Sequence, residues 1–257
     1  MRAYSARFYW PSASAIVSIV AALVVGLLCP LMVDEFGSWG MANGGVSQAF
    51  ERSVVEQGQA PCYFMALAFW IQLFGDSSWD LRSLSIVCNA CSTFLLALVF
   101  ERLGGRSWIS VFSSLCVILS PLWLGYMTLA RPYPLAIFEA ILGLSAALFI
   151  RSSVVRFAAL TVLGALTFLT HYFFVPPFLA CCALGIIYQR GIRSLWYSVI
   201  AGSAGCLFGF VVVKGSVSSH LTAISTLEFS APPDLLYVTG TILLFSWFPG
   251  PSLVLAS

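Results

Sequence analysis

The chain has 257 residues, of which 60% are hydrophobic and 9% charged, with a formal net charge of +2. Soluble domains carry about 25% charged residues, so these few cannot coat a water-facing surface, and lipid has to be the solvent for most of the chain. No basic patch exists to grip a phosphate backbone, which excludes nucleic acid as a partner.

Arg2 and Arg7 precede an apolar run from Ala13 to Val33. This run exceeds the ~7–15 apolar residues of a cleavable signal, and no small-residue cleavage site follows, so it reads as a retained anchor. A spanning helix needs about 20 mostly apolar residues. Further runs meet or approach that length at 82–100, 107–126, 132–150, 157–170, 174–188 and 195–213, and an incomplete one covers 235–257. His171, Tyr172 and the pair Pro176 and Pro177 divide what would otherwise be one overlong run from Phe157 to Tyr188. The expected fold is therefore all-α: one membrane domain over 1–257, a polytopic transmembrane helical bundle.

The stretch 38–75 behaves differently. Phe36 to Gln59 is too polar to span, and its Trp39, Met41, Val46, Phe50, Val54 and Val55 suit surface-lying helices. Pro61–Phe74 is apolar but short, fitting a span or an interfacial helix. Charge decides between them. Arginine-rich loops stay cytoplasmic, and Arg2/Arg7, Arg102/Arg106, Arg151/Arg156 and Arg190/Arg193 fall on one side only if Pro61–Phe74 does not cross. The N-terminus is then cytoplasmic. Asp34, Glu35, Arg131, His171 and the connection Lys214–Asp234 share the outer face.

Eight cysteines do not make a disulfide framework, because most lie inside apolar runs. Cys88 and Cys91 have CxxC spacing with no second pair, which reads as small helix residues rather than a metal or redox site. No metal-ligand spacing is present and no cofactor is expected. Gly205 and Gly209 form a GxxxG signal for close helix packing. The chain stops inside an apolar run, Leu253–Ser257, as the N-terminal part of a longer membrane protein would.

The polar residues with chemistry are few. Asp34 and Glu35 follow the first span, as a polar helix stop or as a general base in an outer cleft. Arg131 defies the charge bias of the other loops; it either snorkels to headgroups or offers a planar fork to a phosphate oxygen. Tyr133 lies beside it. His171 is an interfacial anchor, a phosphate ligand or a metal ligand. Glu139 lies within a span, where a carboxylate needs a partner. His220, Glu228 and Asp234 are weaker candidates in the last outer connection.

The order of these features resembles the membrane-embedded GT-C glycosyltransferases, a superfamily that includes the protein O-mannosyltransferases and the lipid A aminoarabinose transferases. The resemblance runs from about Ala13 to Pro177. It is carried by the Asp34–Glu35 pair after the first span, then Gln59-Ala60-Pro61-Cys62-Tyr63-Phe64, Trp70-Ile71-Gln72-Leu73-Phe74-Gly75, Trp79-Asp80-Leu81-Arg82-Ser83-Leu84-Ser85 and Ala130-Arg131-Pro132-Tyr133. It implies transfer of a sugar from a polyprenyl-phosphate donor to a hydroxyl of a lipid, glycan or protein acceptor, on the periplasmic or extracellular side of a bacterial inner membrane. In that frame Asp34 and Glu35 are catalytic, and Arg131, Tyr133 and His171 bind the donor phosphate. Several members carry a lysine near the Pro61 position, where this chain has Gln57-Gly58-Gln59-Ala60. Two other functions compete: a transporter or flippase, which favours ionisable residues at mid-membrane and a repeat between halves, and a non-catalytic fragment that keeps only the fold.

Overall fold

The computed structural model describes residues 2–56, 59–103, 112, 116, 119–190 and 195–226. Among them every regular element is helical: α1 (Arg2–Leu28), α2 (Val33–Ala42), α3 (Val46–Glu51) with a π-helical turn (Arg52–Glu56), α4 (Cys62–Phe74), α5 (Ser78–Arg102), α6 (Pro121–Met127), α7 (Tyr133–Phe149), α8 (Ser153–Thr170), a 3₁₀ turn (Tyr172–Phe174), α9 (Val175–Arg190) and α10 (Leu195–Thr226). The chain divides into a unit over 1–220 and a unit over 221–257. The first holds α1 to α9 and most of α10; in the second, residues 221–226 are helical.

Local chemistry sets the helix ends. α1 stops at Leu28, two residues before Pro30, which has no N–H to continue it. Gly75 ends α4 with φ +106°, a conformation that other residues rarely adopt. Ser77 then caps α5, accepting the Asp80 N–H while Asp80 Oδ2 accepts the Ser77 N–H. Ser120 and Ser152 cap α6 and α8 through the N–H groups of Trp123 and Val155. α8 ends at Thr170, and Pro176 and Pro177 sit in the first turn of α9, where a missing N–H costs nothing.

Helix α7 is the hub, packed against α5, α6, α8 and α9, while α1 lies along α5 and α6. Ser14, Ser18 and Ala22, buried at four-residue intervals on α1, form its packed face. One buried cluster joins α2–α5 to Ala130 through Met41, Tyr63, Phe64, Leu67 and Leu81. A second joins α7–α10 through Leu160, Leu163, Phe178, Ile186 and Ala201. Short α4, with 13 residues, is about 20 Å long and packs against α2, α3, α5 and α8.

Among the described residues, three stretches are long and apolar enough to cross a membrane: α5, α8, and Tyr172–Gln189, which contains most of α9. Shorter apolar helices lie at Trp10–Gly26, Cys62–Phe74, Tyr133–Phe149 and Val199–Val213. Ile16 and Val20 of α1, Val154 and Val162 of α8, and Leu207 and Phe208 of α10 are all exposed.

The boundaries differ from the sequence expectation in places. α1 begins at Arg2 rather than near Ala13, and its helix ends at Leu28 rather than Val33. The connection expected from Lys214 to Asp234 is helical as far as Thr226, because α10 bends at Val213 (φ −115°, ψ 16°) and continues instead of stopping. Half of the run 107–126 and all of 235–257 fall outside the described residues.

The seam between α8 and α10 depends on glycine. A Cβ on Gly205 would stand 1.9 Å from the Thr161 carbonyl oxygen, and one on Gly164 would stand 2.6 Å from that of Gly202. Around Gly37 of α2 there is nothing within 4 Å. Gly205→Ala should therefore destabilise the fold by about 1–3 kcal/mol, whereas Gly37→Ala should stabilise it by about 0.4–1 kcal/mol. Thermal unfolding of the purified chain in a mild detergent checks both signs.

Candidate functional site

The site is organised from beneath by a buried ion pair. Where α1 ends, the carbonyls of Gly26, Cys29 and Pro30 have no helical N–H to bond. Arg82, in the second turn of α5, supplies donors to all three. Its Nη1 donates to Gly26 (3.0 Å) and Cys29 (2.7 Å), and its Nη2 to Pro30 (2.8 Å). Its Nε and Nη2 reach Glu35 Oε1 and Oε2 at 2.8 and 2.6 Å. All five guanidinium donors are used. Glu35 in turn accepts the main-chain N–H of Met32 on Oε2 and of Ala130 on Oε1, both at 2.9 Å. With the two bonds from Arg82, its four acceptor positions are filled. The side chains are 4% and 0% exposed.

Desolvation on its own would raise the Glu35 carboxyl, but the Arg82 guanidinium and the amides of Ala130 and Met32 outweigh it and hold the group below its ordinary 4.5. The family resemblance groups Glu35 with Asp34 as catalytic, Asp34 being the base. Glu35 faces the interior with no lone pair left to take a proton, so its contribution is to position its neighbours.

Those neighbours face outward. Ala130 is fixed by Glu35, and the Leu129 carbonyl is fixed by the Ser85 hydroxyl at 2.6 Å. The next residue, Arg131, is thereby projected toward Asp34, which precedes Glu35 on α2. Arg131 Nη1 donates to the Asp34 main-chain oxygen at 3.2 Å, and Nη2 stands 3.5 Å from Asp34 Oδ2. This pair is open: the Arg131 side chain is 27% exposed and that of Asp34 69%.

Arg131 also lines a cavity of about 200 Å³ with Gln59, Ala60, Tyr133, Thr170 and His171. The guanidinium carbon lies 5.8 Å from the Tyr133 ring centre, and Tyr133 lies 5.3 Å from His171. His171 is placed by the end of α8, where its N–H bonds the Thr167 carbonyl. Burial, and then the charge of Arg131, pull its imidazole below its usual 6.5, so the ring is neutral at pH 7 with one N–H to donate. Its Nδ1 is buried with no hydrogen-bond partner. Behind this wall the Thr170 hydroxyl donates to Glu139 Oε1 at 2.8 Å. Glu139 thus has its partner on α8, while its Oε2 has none.

Of the residues singled out by sequence, Arg131, Tyr133 and His171 share the cavity. Asp34 touches the same guanidinium from outside it, and Glu35 is turned inward. Arg82 was missed as a positioning residue; the available signal was an arginine at the head of an apolar run. Thr170 was missed as well. His220 lies within helix α10, and Glu228 and Asp234 are outside the described residues. Among the described residues no three His, Cys, Asp or Glu side chains cluster as a metal site. A fixed cation, a neutral imidazole and a phenol around one small cavity can hold an anionic oxygen, and an exposed carboxylate at its edge can accept a proton.

Glu35→Ala leaves the Arg82 charge buried without its partner and should destabilise the fold by about 3–5 kcal/mol. Because the folded carboxyl titrates below its ordinary 4.5, its stabilisation is present in full above that value and is lost as pH falls through the folded one. Unfolding followed from pH 7 to pH 2 should show an acid loss of stability in the native chain that is absent from Glu35→Ala. No protein-family model matches the chain, and comparison with curated proteins and with solved structures likewise gives no match.

Proposed function

We propose that this chain is a polytopic membrane glycosyltransferase module. It moves a sugar from a polyprenyl-phosphate carrier to an acceptor hydroxyl at the outer face of a bacterial inner membrane. The observation that carries this reading is Arg131: one guanidinium contacts the Asp34 carboxylate and lines the cavity that also holds Tyr133 and His171.

Each group has a role in that reaction. The Asp34 carboxylate takes the acceptor's hydroxyl proton as the oxygen attacks the anomeric carbon. The bond from that carbon to the donor phosphate breaks, and the configuration inverts. The departing lipid phosphate gains charge, which Arg131 neutralises while His171 and Tyr133 donate hydrogen bonds. Glu35 and Arg82 hold Asp34 and Arg131 in register without touching substrate.

The membrane setting draws support from the three apolar stretches and from the exposed aliphatic residues on α1, α8 and α10, which suit acyl chains better than water. α4, about 20 Å long, falls short of a hydrocarbon core of about 30 Å and serves as an interfacial helix. With α4 uncrossed, the connections carrying Arg102/Arg106, Arg151/Arg156 and Arg190/Arg193 lie on the cytoplasmic side with the N-terminus.

The test is transfer from a labelled polyprenyl-phosphate sugar in membranes carrying the full-length protein. Asp34→Asn should lower the rate about 10²–10⁴-fold. An unchanged rate removes the assignment of Asp34 as base.

A further inference from the structure

Two acid–arginine pairs stand side by side, and they differ in kind. Glu35 and Arg82 are buried, doubly bonded, and have no donor or acceptor to spare. Asp34 and Arg131 share one contact of 3.5 Å between exposed side chains. An ion pair so open to solvent contributes little, and a competing anion displaces it readily. Asp34 does not line the cavity and Arg131 does, so one residue touches the carboxylate and also borders any anion bound there.

We infer that Arg131 changes partner when a phosphate enters the cavity, releasing the Asp34 carboxylate to receive the acceptor hydroxyl. This rests on the donor-site reading above and adds an order to it: phosphate first, hydroxyl second. The phosphate offers the guanidinium two charge-assisted bonds in its own plane, where Asp34 offers one long contact. The bond from Nη1 to the Asp34 main-chain oxygen survives the exchange and keeps the guanidinium at the cavity rim. In the empty site the base is engaged with the cation. Donor binding removes that contact and leaves the carboxylate wholly to the acceptor.

The experiment measures binding of dodecyl phosphate to the purified full chain in detergent by titration calorimetry. Asp34→Asn removes the competing carboxylate and should bind about two- to fivefold more tightly than the native chain. Asp76→Asn removes an equal charge from the same outer region, where the Asp76 carboxylate accepts the Trp39 indole N–H; it should bind as the native chain does. Arg131→Gln should abolish binding in either background. Unchanged or weaker binding by Asp34→Asn overturns the exchange. Equal tightening by Asp76→Asn also overturns it, since a general field and not a shared guanidinium would then be responsible. Absence of binding by the native chain removes the donor-site reading itself. Inorganic phosphate, titrated in parallel, should bind more weakly than dodecyl phosphate; equal or tighter binding assigns the cavity to a free anion and overturns the lipid-linked donor.

Discussion

The bond network between Glu35 and Arg82 is the constraint on which the rest of the outer region depends. A helix that ends at a proline leaves carbonyls with nothing to bond, and burying them costs free energy unless a donor arrives. Arg82 brings five donors from α5, and Glu35 brings the charge that makes a buried guanidinium tolerable. The same carboxylate then reaches Ala130, 95 residues away in the chain. Four separate segments, the end of α1, the start of α2, the second turn of α5 and the turn before α7, are thereby tied at one point.

What this node fixes is the direction of two residues that do not belong to it. Asp34 and Glu35 are adjacent on a helix and so point about 100° apart. When Glu35 is drawn inward, Asp34 is turned out. When Ala130 is held by its N–H, Arg131 is presented to Asp34. The buried pair has complete bonding and is rigid; the Asp34–Arg131 pair has a single long side-chain contact beside one main-chain bond and is adjustable. A strong, fully satisfied interaction beneath a weak one gives a site whose geometry is held while its charges remain free to engage a ligand.

Much of the helical order was legible in the sequence. The break at His171, the prolines that start α7 and α9, and the shortness of α4 follow from local rules about N–H groups and length, and the helices obey them. Close packing at Gly205 was likewise readable from its spacing to Gly209, although the tightest approach is to Thr161. The division of labour between Asp34 and Glu35 was not legible, because it depends on Arg82, 47 residues from Glu35, and on an amide farther still. Nor was the wall behind His171: Thr170 and Glu139 are 31 residues apart, and nothing local distinguishes a threonine that bonds a carboxylate from one that bonds its own helix. Non-local polar pairing is the part of a fold that periodicity does not encode. The extension of α10 past Val213 escaped for a different reason, since polar residues there were read as a loop although nothing in them breaks a helix.

One contact has a practical bearing. The bond that steadies Arg131 goes to the main-chain oxygen of residue 34 and not to its side chain. Every amino acid offers that oxygen. Orientation of the cation is therefore insulated from the identity of the residue beside it; under the proposed reaction, a chain altered at position 34 keeps the cation in place while losing its proton acceptor. In the proposed reaction such a chain stalls with donor bound, a form suited to direct imaging.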